Sequence, residues 1–434
     1  MKSSSKIPQD RFRCNSNRER CLNTESLVPL ILTISVFFAS IFSFFLLRSP
    51  NHSSFILNQA SDFVQNQQHH AQENASSSSS SKPPQKEEEK TCDLFKGLWV
   101  PASRESSYYS NSSCITIPYY LNCFKNGRED RDFLNWKWKP QQCKLPRFHP
   151  KIFFDIVRGK KMAFIGDSLA RNHMQSLLCL LSQEETPIDV QKDPEDRFRT
   201  WYFPSHDFTL KTLWSRFLIA GEERMVNGTG SNIFDMQLDK VDEDWGIPFP
   251  ELDYAIISAG HWFNRIMYLH EGGKLVGCVY CREPNVTDYN SDFPFRRAFE
   301  TAFRFINGCK KCRRTVTLLR TFAPAHFEGG SWNTGGHCNR TGPVSEEMID
   351  FECHGHMRNI QVEEFERAKH QGWKNGHKLE IIDVTRAMLM RPDGHPGAHW
   401  GKTWVKGYTD CTHWCMPGPV DFWNELMLAV LKRV

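Results

Sequence analysis

The stretch MAFIGDSLARNH, Met162 to His173, decides how this chain is read. An apolar run stops at Gly166, an acid and a serine follow, and Leu177, Leu178, Leu180 and Leu181 supply the apolar face of a helix over Leu169–Leu181. Strand, glycine and helix in succession describe a sharp βα turn, with Gly166 free to adopt a backbone conformation closed to other residues. Ser168 then stands at a helix N-terminus, where free N–H groups stabilise a developing oxyanion. Two readings fit these residues: Ser168 is a nucleophile, or Ser168 or Asp167 is a helix cap. The G-x-S-x-G nucleophile elbow is absent, which argues against a standard α/β-hydrolase.

Outward from this turn the pattern repeats. LDYAIISAG ends a second strand at Gly260, Phe293–Ile306 is helical, and TVTLLRTFAP is a third strand. Val362–Lys374 is helical, LEIIDV is a fourth strand, and Val420–Lys432 closes the chain as a helix. Continuous apolar strands separated by helices predict an α/β fold with a mostly parallel sheet flanked by helices. In such folds chemistry sits at the carboxyl ends of the strands. A serine nucleophile needs a base, and the base needs an orienting carboxylate. The stretch YTDCTHWCMPGPVDFW offers Asp410 and His413, three residues apart, bracketed by Cys411 and Cys415. A structural Asp–His pair in a disulfide loop fits the same residues.

The N-terminal side specifies topology. Leu27–Leu47 carries no charge and would span about 31 Å as a helix, the thickness of a bilayer core. Six Lys or Arg precede it, and beyond Arg48 none occurs until Lys82, so the amino terminus is expected in the cytosol. The expected plan is a cytosolic tail (1–26), a signal anchor (27–47), a disordered lumenal stalk (48–91), a Cys-rich loop subdomain (92–150) and the α/β domain (151–434). All six N-x-S/T sequons, at Asn51, Asn74, Asn111, Asn227, Asn285 and Asn339, follow the anchor. So do thirteen of the fifteen cysteines, which fits an oxidising lumen. The formal net charge of +4 is small for 434 residues and argues against a nucleic-acid partner.

A GDS turn after the first strand and D-x-x-H before the last helix is the layout of SGNH/GDSL esterases. The chain more closely resembles the plant trichome birefringence-like family of polysaccharide O-acetyltransferases. CDLFKGLWV, YSNSSC, NCFKNGRED, FLNWKWKPQQCKLPRF, GKKMAFIGDSLARNHMQSLLCLL and DCTHWCMPGPVDFWNELML carry the resemblance. It implies an SGNH-like catalytic domain with a family-type amino-terminal subdomain, in a Golgi type II membrane protein. It further implies a Ser168–His413–Asp410 triad and an acetyl-serine intermediate. The oxyanion donors would be the N–H groups of Ser168 and Gly260. No cofactor or metal is expected to be bound; an acetyl donor is required, acetyl-CoA or another acetyl carrier.

Bacterial esterases of this layout use an Asn in a G-x-N-D block as a third donor. Here Gly260-His261-Trp262-Phe263-Asn264 has none at that place, leaving Asn172 or Asn264 as substitutes and Arg171 as a source of positive potential. Asp167, His261 and Trp262 are further acceptor-side or supporting candidates. Trp262, Trp332 and Trp414 are candidate sugar-stacking residues, and RPDGHPG (Arg391–Gly397) is expected to border the acceptor site. The resemblance implies disulfides Cys92–Cys143, Cys114–Cys179, Cys123–Cys415 and Cys338–Cys411. Cys278, Cys281, Cys309 and Cys312 form two C-x2-C pairs. In a reducing compartment these would read as zinc ligands; in a lumen two disulfides fit as well, and Cys353 is left as an odd thiol. Three functions are carried forward: O-acetyl transfer to a hemicellulose (xyloglucan first, then mannan or xylan), a lumenal acetylesterase, and a non-catalytic polysaccharide binder.

Overall fold

The computed structural model describes residues 92–434 apart from 103–106, 313–314, 333 and 402–407. The expected tail, anchor and stalk, with Asn51 and Asn74, lie outside the described residues. Among the described residues no helix is long and apolar enough to cross a membrane. In chain order the elements are β1 (Gly97–Pro101), β2 (Trp136–Pro140), α1 (Pro150–Val157), β3 (Lys161–Gly166), α2 (Ser168–Leu181), β4 (Ile188–Lys192), β5 (Phe198–Phe203), β6 (Phe208–Trp214), β7 (Ile219–Val226) and β8 (Thr229–Val241). Then come β9 (Tyr254–Ser258), β10 (Ile266–Glu271), β11 (Lys274–Val279), β12 (Asp288–Tyr289), α3 (Asp292–Gly308), β13 (Val316–Arg320), α4 (His356–Asn375), β14 (Lys378–Ile382), α5 (Thr385–Leu389) and α6 (Asp421–Leu431).

Strand β3 explains the layering. Successive side chains of a strand point to opposite faces, and here both faces are buried. Met162 and Phe164 enter a core shared with Leu177 and Leu178 of α2 and Leu426 and Met427 of α6. Ala163 and Ile165 enter the opposite core with Phe295, Phe299 and Phe303 of α3 and Phe365 of α4. A strand buried on both sides needs helices on both sides, which is why it reads as a continuous apolar run. The seven-stranded sheet has the order β14-β13-β9-β3-β6-β5-β4. Its first five strands are parallel, and β5 and β4 extend it antiparallel.

A second sheet, β12-β11-β10-β8-β7, was not anticipated from the sequence. Its core hairpin β7–β8 turns at Asn227-Gly228, both with positive φ. The third element is the β1–β2 ribbon, which docks by Trp99 Nε1–H donating to the Ala387 carbonyl (2.7 Å) of α5.

The disulfides are Cys92–Cys143, Cys114–Cys179, Cys123–Cys415 and Cys338–Cys411, the four pairs implied by the resemblance, together with Cys278–Cys281 and Cys309–Cys312. The two C-x2-C pairs are thus closed on themselves. Cys353 is also disulfide-bonded, which corrects its reading as an odd thiol.

Candidate active site

Strand β3 delivers its last residue into a space that only glycine fits. Gly166 has φ of 143°, and a Cβ there would lie 1.6 Å from the Ser258 carbonyl oxygen at the end of β9. The chain turns directly into α2, and Asp167 takes the cap: its Oδ1 accepts from Leu169 N–H at 3.0 Å. The capping role therefore falls to Asp167 and not to Ser168. Ser168 is the first residue of α2, half-buried, and its hydroxyl has no hydrogen-bond partner among the described residues.

The other carboxylate oxygen of Asp167 accepts from Gly260 N–H (3.0 Å) and, more weakly, from His261 N–H (3.4 Å). This corrects the expectation that Gly260 supplies a free oxyanion donor: its N–H is already committed to a buried carboxylate. Beneath this knot lies Arg320, the last residue of β13, whose side chain donates to Ser258 Oγ at 2.5 Å. Burial pushes the Arg320 guanidinium down to about 10, against the attraction of Asp167. His261 is a support: its ring lies on Phe322 and bonds the Ala323 carbonyl at 2.8 Å. Burial lowers its pKa, with Asp167 opposing and His413 adding to the shift.

Asp410 and His413 meet. His413 Nδ1–H donates to Asp410 Oδ2 at 2.7 Å, and Asp410 Oδ1 accepts from the backbone N–H groups of Thr412 and His413, both at 3.0 Å. Burial alone would raise the Asp410 pKa; the imidazole and the two N–H groups outweigh it and hold the carboxyl at about 2. The loop reaches Ser168 through Asn172, one helical turn along α2. Its side chain accepts from Trp414 N–H at 2.8 Å and donates to the Trp414 carbonyl at 3.4 Å. Asn172 is therefore a clamp on the residue beside His413, not a spare oxyanion donor. A Ser168–His413 hydrogen bond is not formed; what is formed is the Asp–His pair, held at the N-terminal end of the helix that begins with Ser168.

These observations set the frame for comparison with known proteins. A profile described as "GDSL/SGNH-like Acyl-Esterase family found in Pmr5 and Cas1p" matches residues 145–430, and a "PMR5 N terminal Domain" profile matches residues 90–144. The relative named xyloglucan O-acetyltransferase 4 of Populus trichocarpa is 52% identical over 424 residues, 98% of this chain and 96% of its own length. Xyloglucan O-acetyltransferase 2 of Arabidopsis thaliana is 53% identical over 346 residues (79% and 83%), and protein trichome birefringence-like 19 of the same plant is 44% identical over 348 residues (79% and 81%). The chain belongs to the trichome birefringence-like family.

In this trichome birefringence-like protein the loop that bears His413 is braced from below by His395, His326 and Arg128. His395, fully buried, donates from Nδ1 to the His413 carbonyl (2.7 Å), and its other ring nitrogen lies 2.7 Å from His326 Nδ1. Burial drives His395 well below the ordinary histidine range and His326 down to about 4. Arg128, from the NCFKNGRED motif, donates to the carbonyls of His395 (3.0 Å) and Asp393 (2.7 Å). RPDGHPG does not border an open acceptor site as expected. Arg391 and Asp393 form a buried ion pair at 2.8 Å under the loop. Trp414 is fully buried against His395 and His326, so it is a core residue and not a sugar platform.

Trp262 and Trp332 are half-buried at the rim, and Arg171 lies over Trp214 while donating to the Asp196 carbonyl at 2.8 Å. Asn264 accepts from its neighbour Arg265. Among the described residues no group of three metal-ligating side chains comes together. The sequon residues Asn227, Asn285 and Asn339 are exposed and Asn111 is half-exposed.

Proposed function

We propose that this chain transfers acetyl to hydroxyl groups of a hemicellulose, with xyloglucan as the acceptor, through an acetyl-serine intermediate. The activity follows from membership of an acyl-esterase-like family and from relatives named as xyloglucan O-acetyltransferases. The observation that carries the mechanism is the bond between the buried Asp410 and the half-exposed His413, tied by Asn172 to the helix that starts at Ser168.

In the first half-reaction Ser168 Oγ attacks the acetyl carbonyl carbon while His413 Nε2 takes the hydroxyl proton. The tetrahedral intermediate collapses, the donor's leaving group departs with the proton from His413, and acetyl remains on Ser168. In the second half-reaction His413 removes the proton of a sugar hydroxyl, the sugar oxygen attacks the acetyl carbon, and Ser168 leaves and regains its proton. Asp410 holds the imidazole in the tautomer with Nε2 free and stabilises the imidazolium. The Ser168 N–H, at a helix N-terminus, faces the developing oxyanion. The same reading places the protein in the Golgi membrane as a single-pass type II protein, with residues 92–434 in the lumen and its sequons glycosylated.

The test is incubation of the full chain with an acetyl donor and separate oligomers of xyloglucan, mannan and xylan. Mass gain on xyloglucan, absent in Ser168→Ala, is expected. Acetyl loss from an acetylated glycan without transfer would favour an esterase, and normal transfer by Ser168→Ala would refute the nucleophile.

A further inference from the structure

The rim beside Ser168 carries more positive charge than a neutral glycan requires. Trp214, the last residue of β6, lies opposite Gly166 in the sheet register, and Arg171, three residues along α2 from Ser168, sits 5.1 Å over its ring. Trp262, next to His261, stands edge-on to Trp214 at 6.4 Å. Two further guanidinium groups stack on Trp262, Arg216 at 5.1 Å and Arg265 at 5.2 Å; Arg265 also lies 5.5 Å from the Trp332 ring. Arg171, Arg216 and Arg265 are all half-exposed.

Among the described residues none of the three has a carboxylate within ion-pair distance, whereas Arg224, Arg358 and Arg391 each have one. Glu223 and Asp242 attract Arg216 only through space, Glu223 acts likewise on Arg265, and Arg197 repels Arg216. Both carboxylates are occupied elsewhere, Glu223 on Asn232 N–H and Asp242 on Ser215 Oγ. Burial disfavours the charged form of Arg216 and of Arg265, and no counter-charge offsets it in full. Among the described residues the Nε–H groups of Arg171 and Arg216 and the indole N–H of Trp214 have no acceptor, so this wall holds donors to spare.

A wall with surplus donors and uncompensated cations fits a ligand made of acceptors and negative charge. On the Asp410 side the rim is aromatic instead: Trp332 and Trp400 lie against Tyr408 at 6.3 and 4.3 Å. We infer that Arg171, Arg216 and Arg265, set among Trp214 and Trp262, receive the phosphate groups of a phosphorylated acetyl-thioester donor, leaving the aromatic half for the sugar. This rests on the acetyl-transfer reading above.

The test uses the full chain, a xyloglucan oligosaccharide, and two donors with the same reacting thioester: acetyl-CoA, and the acetyl thioester of N-acetylcysteamine, which has no phosphate. The ratio of kcat/KM for the two donors is expected to fall about tenfold or more in Arg216→Gln and in Arg265→Gln. It should recover in part in Arg216→Lys, and fall for the unaltered chain in about 0.5 M salt. Calorimetry is expected to show saturable CoA binding that both Gln variants weaken and inorganic pyrophosphate competes away. An unchanged donor ratio, or an effect confined to the KM for the glycan, overturns the inference. So does absence of CoA binding in a chain that still acetylates from the neutral thioester. If neither donor supports transfer, the acetyl-transfer reading fails on its own, and arginine-dependent CoA binding still decides for or against this site.

Discussion

Replacing Asn172 by alanine separates the clamp from the chemistry. The side chain is 1% exposed and makes two hydrogen bonds to the backbone of Trp414, itself fully buried. Removing the amide leaves the Trp414 N–H without an acceptor, at a cost of about 1–3 kcal/mol. The loop does not come free, because Cys338–Cys411 and Cys123–Cys415 hold it on either side of His413. The cheapest relief is for Trp414 to draw back from α2 until water reaches its N–H, and His413 moves with it. If that shift absorbs the whole cost, the share of molecules with the imidazole in place falls by roughly 5- to 150-fold, at about 1.4 kcal/mol per factor of ten. We expect kcat for transfer to a xyloglucan oligosaccharide to fall at least about fivefold, with the KM for the glycan nearly unchanged. Initial rates by mass spectrometry and a thermal melt on the same preparation measure both consequences. A variant that melts early by the expected amount and keeps kcat within about twofold would refute the reasoning, because His413 would then reach Ser168 without the clamp.

Three other perturbations follow from the geometry. Gly166→Ala places a methyl group 1.6 Å from the Ser258 carbonyl at a φ of 143°, so it should destabilise by more than about 4 kcal/mol and yield little folded protein, measured by soluble recovery and melting. Asp410→Asn keeps an acceptor for Thr412 and His413 N–H but loses the charge that stabilises the imidazolium; turnover should drop about 10³–10⁴-fold, with the melting temperature far less affected than in Gly166→Ala. Buried groups make stability depend on pH in opposing directions. The Asp410 pKa is held at about 2 against an unfolded 3.8, so its stabilisation is full above 3.8 and is lost as pH falls toward 2. Burial raises Asp421 to about 6 and Glu425 to about 7, so their contribution is full below 3.8 and 4.5 and is lost as pH rises through 6–7. The buried His326, at about 4, and His395, well below the ordinary histidine range, stay neutral when folded and lose stability as pH falls below 6.5, opposing the two carboxyls. The carboxyl contribution is isolated by Glu425→Gln, which should raise the melting temperature at pH 8 relative to that at pH 5.

Four of the five parallel strands, β3, β9, β13 and β14, were legible as largely apolar runs, whereas β6, whose buried residues alternate with half-exposed ones, was not. Expected and observed bounds of the β3–α2 turn, β9, β13 and β14 agree to within a few residues. The second sheet was not legible by the same rule. Strand β7 is mostly exposed or half-exposed, and β8 alternates buried with half-exposed residues, so neither makes an apolar run, and the one local signal, Asn227-Gly228, is a hairpin turn that was read only as a sequon. At the site, the three-residue spacing of Asp410 and His413 was enough to expect the pair that the structure bonds at 2.7 Å. The roles of Gly260, Asn172 and His395 could not be read off, since each depends on which backbone group lies opposite, and partners such as Asn172 and Trp414 are 242 residues apart.

The amino-terminal segment is matched by its own profile, yet its contacts argue that it is part of the catalytic apparatus. Acetyl transfer to sugar in preference to water asks for an imidazole that is already in position when the acceptor arrives, because each freely rotating loop residue adds conformational entropy to be lost. The loop Asp410–Cys415 is short and has little core of its own. Its order comes from outside: Cys123 is bonded to Cys415, Arg128 reaches the carbonyls of Asp393 and His395, and His395 in turn holds the His413 carbonyl. The Phe133 carbonyl accepts from the buried Arg391 and the Phe133 ring lies 3.7 Å from the Arg128 guanidinium. Three of these ties begin in residues 90–144 and end beneath the histidine. The segment that looks least like an enzyme in the sequence is thus what holds the His413 loop in place, which accounts for its covalent attachment to that loop through Cys123–Cys415.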